Sequence, residues 1–172
     1  MELSLAPGWA AGPQTGQGRF GCAWRADFPR LGTRATLWPI AGLRPWLARQ
    51  AGILLERRSD QERPALAAAL EAAPALDTAF PVRQFLMRAA AECLGRALEG
   101  GRPVDAVARF HLGNGARVER IHRAGDRSAK GLKQAHGRRV HHLCNLKGLD
   151  RCRRHVAQGK VPVPSRVQAL YI

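Results

Sequence analysis

The chain lacks any uninterrupted apolar run long enough to cross a bilayer, which argues against a membrane-spanning helix. Cysteine is sparse. Cys22, Cys93, Cys144 and Cys152 stand far apart, and the opening Met1-Glu2-Leu3-Ser4-Leu5 shows no basic patch before an apolar stretch. Reduced thiols in a cytoplasmic protein are therefore expected, not a disulfide framework. Aromatic residues make up 6%, and beyond Gly101 only Phe110 and Tyr171 remain. Single strands are held by bases stacked on rings set among basic residues, so little more than nonspecific phosphate contact is open to this half.

Acidic residues are scarce as well, 13 against 28 Lys and Arg, for a net charge of +15. From Gly101 onward, 16 Lys and Arg face only Asp105, Glu119, Asp126 and Asp150. So basic a half attracts polyanions: nucleic acid, acidic membrane or a phosphate-bearing cofactor. Charge does not choose among them, and a solvated basic surface accounts for it equally.

What is present fits one domain. The length, 172 residues with 45% hydrophobic, allows a single core and no comfortable second one. Residues 1–27 are rich in Gly, Pro and Gln without apolar periodicity, and are expected to be poorly ordered; 28–172 form the domain. Thr33 to Ile40 reads as a strand stopped by Pro39. Leu43, Trp46, Leu47, Ile53 and Leu54 recur at helical spacing, with Pro45 in the first turn. A second helix is expected from an Asp60 cap to about Glu71. A third runs from Val82 to Leu98, its face marked by Phe85, Leu86, Ala89, Ala90, Cys93, Leu94 and Ala97, and ends at Gly100-Gly101. Then Val107, Arg109 and His111 alternate with Ala108, Phe110 and Leu112 before Gly113-Asn114-Gly115, which reads as a hairpin into Arg117–Ile121. Ser128 caps a short helix, Val140–Leu149 is helical or extended, and an extended tail leads to a helical turn at Val167–Leu170. The expectation is an α+β domain with helices first and strands after about residue 105.

Few residues carry chemistry. Gly16-Gln17-Gly18-Arg19-Phe20-Gly21 spells Gly-x-Gly-x-x-Gly, but a phosphate cradle needs a strand before it and a helix after it, and Pro/Gly-rich loop precedes it. His141, His142, Cys144, Cys152 and His155 invite a zinc reading. Their spacing matches no usual finger or ribbon and arginines surround them, so basic surface histidines are expected and no metal. His111 lies beside the Asn-Gly turn, where a hydrogen-bonded core residue is the commoner role.

The run Asp105-Ala106-Val107-Ala108-Arg109-Phe110-His111-Leu112-Gly113-Asn114-Gly115-Ala116 resembles the stretch around the catalytic histidine of malonyl-CoA decarboxylases. Downstream, Asp126-Arg127-Ser128, Gly131-Leu132-Lys133-Gln134 and Gly137 follow the family's Asp-x-Ser, Gly-Leu-x-Gln and Gly in order. Upstream, Phe28-Pro29-Arg30-Leu31 and Thr36-Leu37-Trp38-Pro39-Ile40-Ala41-Gly42-Leu43 are similar to Phe-Pro-x-Leu and Thr-Leu-Ser-Pro-Ile-Pro-Gly-Phe. The resemblance, over residues 28–172, implies an incomplete acetyltransferase-like (GNAT-like) domain that binds coenzyme A, without the family's N-terminal helical domain. It implies conversion of malonyl-CoA to acetyl-CoA and carbon dioxide, a step of fatty acid metabolism, with no metal or organic cofactor. Homo-oligomers are implied too. His111 matches the family's proton donor.

The sequence also departs from the pattern. Trp38 stands where the family has its motif serine, and an indole offers one N–H, no acceptor oxygen and far more bulk. Thr36 is a nearby hydroxyl. Val140-His141-His142-Leu143-Cys144 replaces a stretch with two tyrosines, at 142 and 144, and Arg138-Arg139 replaces Leu-Met. These departures predict slow or lost turnover and marginal folding. The alternatives are a CoA or acyl-CoA binder without turnover and, less favoured, a basic nucleic-acid-binding protein.

Overall fold

In the computed structural model, the residues described are 32–71 and 80–171. The expectations for residues 1–27, the Gly16–Gly21 run, Cys22 and Phe28–Leu31 lie outside them.

Strand β1 (Thr33–Pro39) ends where proline removes the ladder donor. Ile40, fully buried, leads into helix α1 (Leu43–Glu56). Leu43, Trp46, Leu47 and Leu54 face the core as their spacing predicts, but Ile53 is left half exposed. Each such fully buried Leu or Ile contributes roughly 1.5–3 kcal/mol. Helix α2 (Arg63–Glu71) begins three residues after Asp60, whose carboxylate pairs with Arg63 at 3.1 Å, and buries Leu66. Helix α3 (Phe80–Gly95) buries Phe85, Leu86, Ala89, Ala90, Cys93 and Leu94.

Helix α3 stops at Gly95 rather than at Gly100-Gly101. Those two glycines, with φ of 56° and 74°, turn a small hairpin between β2 (Leu98–Glu99) and β3 (Arg102–Pro103). Gly95 is needed for another reason. A methyl there would overlap the Tyr171 hydroxyl, and Arg96 lies over the Tyr171 ring at 4.1 Å.

The expected hairpin at 107–121 is corrected. Residues Ala106–Gly113 form helix α4. Asp105 caps it, its carboxylate accepting from the Ala108 amide at 2.7 Å, and Ala108 and Leu112, four residues apart, are its buried pair. Six residues of alternation span under two helical turns, too short a window to separate a period of two from one of 3.6. Asn114-Gly115 is a helix exit. Gly115, with φ of 88°, carries the chain into β4 (Arg117–His122), and its bare Cα faces the Leu149 carbonyl.

Ser128 caps α5 (Ala129–Ala135) by accepting from the Gly131 amide at 3.1 Å, as its sequence position predicts. The 140–149 segment resolves into strand β5 (Arg139–Asn145), a 3₁₀ turn (Leu146–Gly148) and helix α6 (Leu149–Ala157). No residue of α6 is buried, so no apolar stripe announced it. Helix α7 (Ser165–Gln168) closes the chain.

The sheet runs β1-β5-β4, antiparallel throughout, with a bulge between Val118 and Arg120. The described residues from Thr33 onward thus make one α+β unit, as expected, although helices continue past residue 105. Arg138, placed where apolar core was expected, is fully buried and donates from Nη1 to the His136 carbonyl at 2.7 Å. Arg139 is half-buried and pairs with Asp126 at 3.5 Å.

Candidate functional site around His111

Side chains alternate across a strand, so the register fixes what meets on each face. Thr36 on β1 pairs with His142 on β5, and Trp38 pairs with Val140. Val118 on β4 pairs with His142 from the other side. Val140 and His142 are almost wholly buried, and this face of the sheet packs into the core.

Helix α4 lays His111 against that face. Asp105 sets its position: besides capping α4, its second carboxylate oxygen accepts from the Gly42 amide at 2.6 Å, joining the start of α1 to the start of α4. The His111 ring stacks on His142 with centroids 4.7 Å apart and planes 18° from parallel. Trp38 lies 5.9 Å away on a tilted plane, and Phe110, half exposed, meets the His111 ring edge-on at 5.2 Å. The residue at the motif serine's place and the histidine of Phe-His-Leu are therefore neighbours.

Burial pushes the His111 pKa below its ordinary value. His142 is pushed down to about 3, by burial first and then by its imidazole neighbours His111 and His141. Both rings are neutral near pH 7, so each carries one N–H donor and one bare acceptor nitrogen. Neither nitrogen of His142 has a hydrogen-bond partner among the described residues, nor does the buried Thr36 Oγ1.

The other singled-out residues do not converge. His141 faces the opposite side of β5, where its Nδ1 lies 3.2 Å from His122 Nε2. Cys144 and Cys152 are half-buried and His155 is exposed on α6. Among the described residues, no three His, Cys, Asp or Glu side chains are grouped to hold a metal ion. His142, expected on the surface, is instead 1% exposed. The signal for it was available in the alternation Val140, His142, Cys144 once 139–145 is read as a strand. Asp105 was also missed, although Asp three residues before Ala108 is an N-cap pattern.

A second feature lies at the start of α1. A cleft of about 610 Å³ is lined by Ala41, Arg44, Pro45, Lys130, Lys133 and Gln134, three cations with no carboxylate in the lining.

Together these define an α+β domain that presents a desolvated imidazole on the inner face of a small antiparallel sheet. A family profile described as the malonyl-CoA decarboxylase C-terminal domain matches residues 23–171. The chain belongs to the malonyl-CoA decarboxylase family. Solved structures agree. Malonyl-CoA decarboxylase from Cupriavidus metallidurans matches with TM-score 0.74 and 30% identity over 88% of this chain and 42% of that one. The enzymes from Rhodopseudomonas palustris (TM-score 0.71, 30% identity, 89% and 36% covered) and Agrobacterium vitis (0.63, 32%, 88% and 38%) match likewise. The chain thus spans about two fifths of the length of these relatives. No curated protein matches it. No helix among the described residues is long and apolar enough to cross a membrane.

Proposed function

We propose that this domain takes malonyl-CoA and releases carbon dioxide from it, with His111 handling the proton. The bond from the acyl carbon to its carboxylate breaks, and the electron pair passes into the thioester as an enolate. A proton delivered to carbon then completes acetyl-CoA. The reaction asks for a desolvated place for the acyl group, a donor for the enolate oxygen and a positioned acid. The single supporting observation is the placement of His111, half-buried against Trp38 and His142.

A neutral imidazole is a weak acid, but an anion settling beside it favours its charged form. The substrate's negative charge would raise the proton affinity of His111, so the ring takes up a proton with the substrate and passes it to carbon. That proton comes from solvent, and its transfer to carbon leaves the ring neutral, as it began. The phosphates of CoA suit the Arg44, Lys130 and Lys133 cleft, where they meet positive charge unopposed by lining carboxylates.

Trp38 favours a second reading. Its indole fills the place of a hydroxyl that would otherwise meet the acyl group, so the domain would hold CoA or an acyl-CoA without turnover. Loss of one transition-state donor commonly costs about a hundredfold in rate. Carbon dioxide release from malonyl-CoA by the purified chain, beside His111→Ala, separates the two. The first reading expects slow release that the substitution abolishes. Release no faster than the protein-free background, with saturable CoA binding by calorimetry, leaves the second. Neither release nor binding removes both.

A further inference from the structure

We infer that Thr36 and His142 together form the subsite for the acyl oxygen of the thioester, a role left open by the replacement of the motif serine by Trp38. The inference rests on the thioester reading above, and it names which atoms hold the oxygen.

The argument starts from unmet hydrogen bonds. Thr36 Oγ1 and both ring nitrogens of His142 are shielded from solvent and have no partner among the described residues. Leaving a buried donor or acceptor unmet is costly, so native folds seldom keep several in one place without a use. Here they fall together. Thr36 and His142 are cross-strand partners, directly opposite on one face, and the His142 ring is 1% exposed.

Their chemistry is right for one oxygen anion. A threonine hydroxyl donates one hydrogen bond, and a neutral imidazole donates one more, which makes two donors from two strands. Burial holds His142 neutral near pH 7, so it offers a donor without a competing full charge. Such donors are worth most where water is absent and their positions are fixed, as they are when both sit on strands of one sheet.

The placement also fits the proposed proton step. His111 stacks on His142 at 4.7 Å, so an oxygen held at the edge of one ring leaves the adjoining carbon near the edge of the other. Trp38 sits two residues along β1 on the same face and is 38% exposed, the solvent-facing neighbour past which an acyl group would enter. Where other members of the family carry one serine hydroxyl, this chain would divide the oxygen contact between a hydroxyl two positions earlier and an imidazole from the next strand.

The test compares acetyl-CoA, which has the thioester oxygen but no carboxylate to lose, with free CoA. Both are titrated calorimetrically into the whole chain and into Thr36→Val, Thr36→Ser, His142→Phe and His142→Asn. The parent is expected to bind acetyl-CoA about tenfold or more tighter than CoA. Thr36→Val and His142→Phe should erase that ratio without changing the affinity for CoA, while Thr36→Ser and His142→Asn, which keep a donor, retain part of it. Urea unfolding of Thr36→Val should show a midpoint no lower than the parent, because an isosteric methyl replaces an unmet hydroxyl. A ratio unchanged in Thr36→Val and His142→Phe, or a parent that does not tell acetyl-CoA from CoA, overturns the subsite. Carbon dioxide release undiminished in His111→Ala, with the ratio still lost in Thr36→Val, would instead overturn the proton role alone.

Discussion

The Asp105 carboxylate accepts from the Gly42 amide at 2.6 Å across 63 residues of sequence, while its other oxygen caps α4 at Ala108. One side chain, wholly buried, thereby fixes the turn after Trp38 relative to the helix that carries His111. The space around it is filled: a side chain at Gly42 would press on Asp105 Cα at 3.1 Å.

Asp105→Ala should therefore cost more than an ordinary cap. Two amides lose their acceptor, one of them in a tertiary contact, and about 2–4 kcal/mol of stability should go with them. Urea unfolding monitored by tryptophan fluorescence checks the figure. A loss below about 1 kcal/mol would mean that water replaces the carboxylate.

The buried imidazoles predict acid sensitivity. His142 has its folded pKa pushed down to about 3, against about 6.5 when unfolded, so between those values the unfolded chain binds the extra proton. Its contribution to stability is complete above pH 6.5 and is lost as pH falls toward 3. His111, shifted in the same direction, adds to the slope. Lowering pH from 6.5 to 5 should cost about 2 kcal/mol through His142, and His142→Phe should flatten that part of the profile. Equilibrium unfolding at a series of pH values reads it; equal slopes in the two proteins would contradict it.

Restoring the hydroxyl at position 38 should speed the chemistry. Trp38→Ser is expected to raise carbon dioxide release at least tenfold if His111 supplies the proton, and Trp38→Ser with His111→Ala should fall back to background. Trp38 is 38% exposed and lies on a tilted plane beside the His111 ring, so the loss of packing should be modest beside a core truncation.

Charge reversal at the cleft probes the CoA reading. Lys130→Glu with Lys133→Glu should weaken CoA binding about tenfold or more and lessen its dependence on salt, since the pair faces the same opening as Arg44. Dephospho-CoA titrated beside CoA shows how much of that charge meets the terminal phosphate. Unchanged affinity would move the phosphates elsewhere.

The sequence revealed the fold where apolar spacing was long. Helices α1 and α3 declared themselves through Leu43, Leu47, Phe85, Ala89 and Cys93, whose period could not be mistaken over three or more turns. It misled where a run was short. Val107 to Leu112 alternates by accident, and only the cap at Asp105 tells a helix from a strand there. The site divided in the same way. His111 and Trp38 stood out because a long motif surrounds them. His142 and Thr36 meet only through strand pairing between segments more than 100 residues apart, which spacing within either segment does not disclose. The arginines read as misplaced core residues have partners in the fold: Arg138 a backbone carbonyl and Arg139 an aspartate.

Tyr171, packed on bare Gly95 beneath the Arg96 guanidinium, is the chain's sole phenol. Alkaline ultraviolet titration consequently watches a single locus in the whole molecule. Because burial raises that group's ionisation range, detachment of the carboxyl-terminal segment would announce itself as an earlier, normal-range absorbance step, reporting on the latch between this segment and α3 without any label.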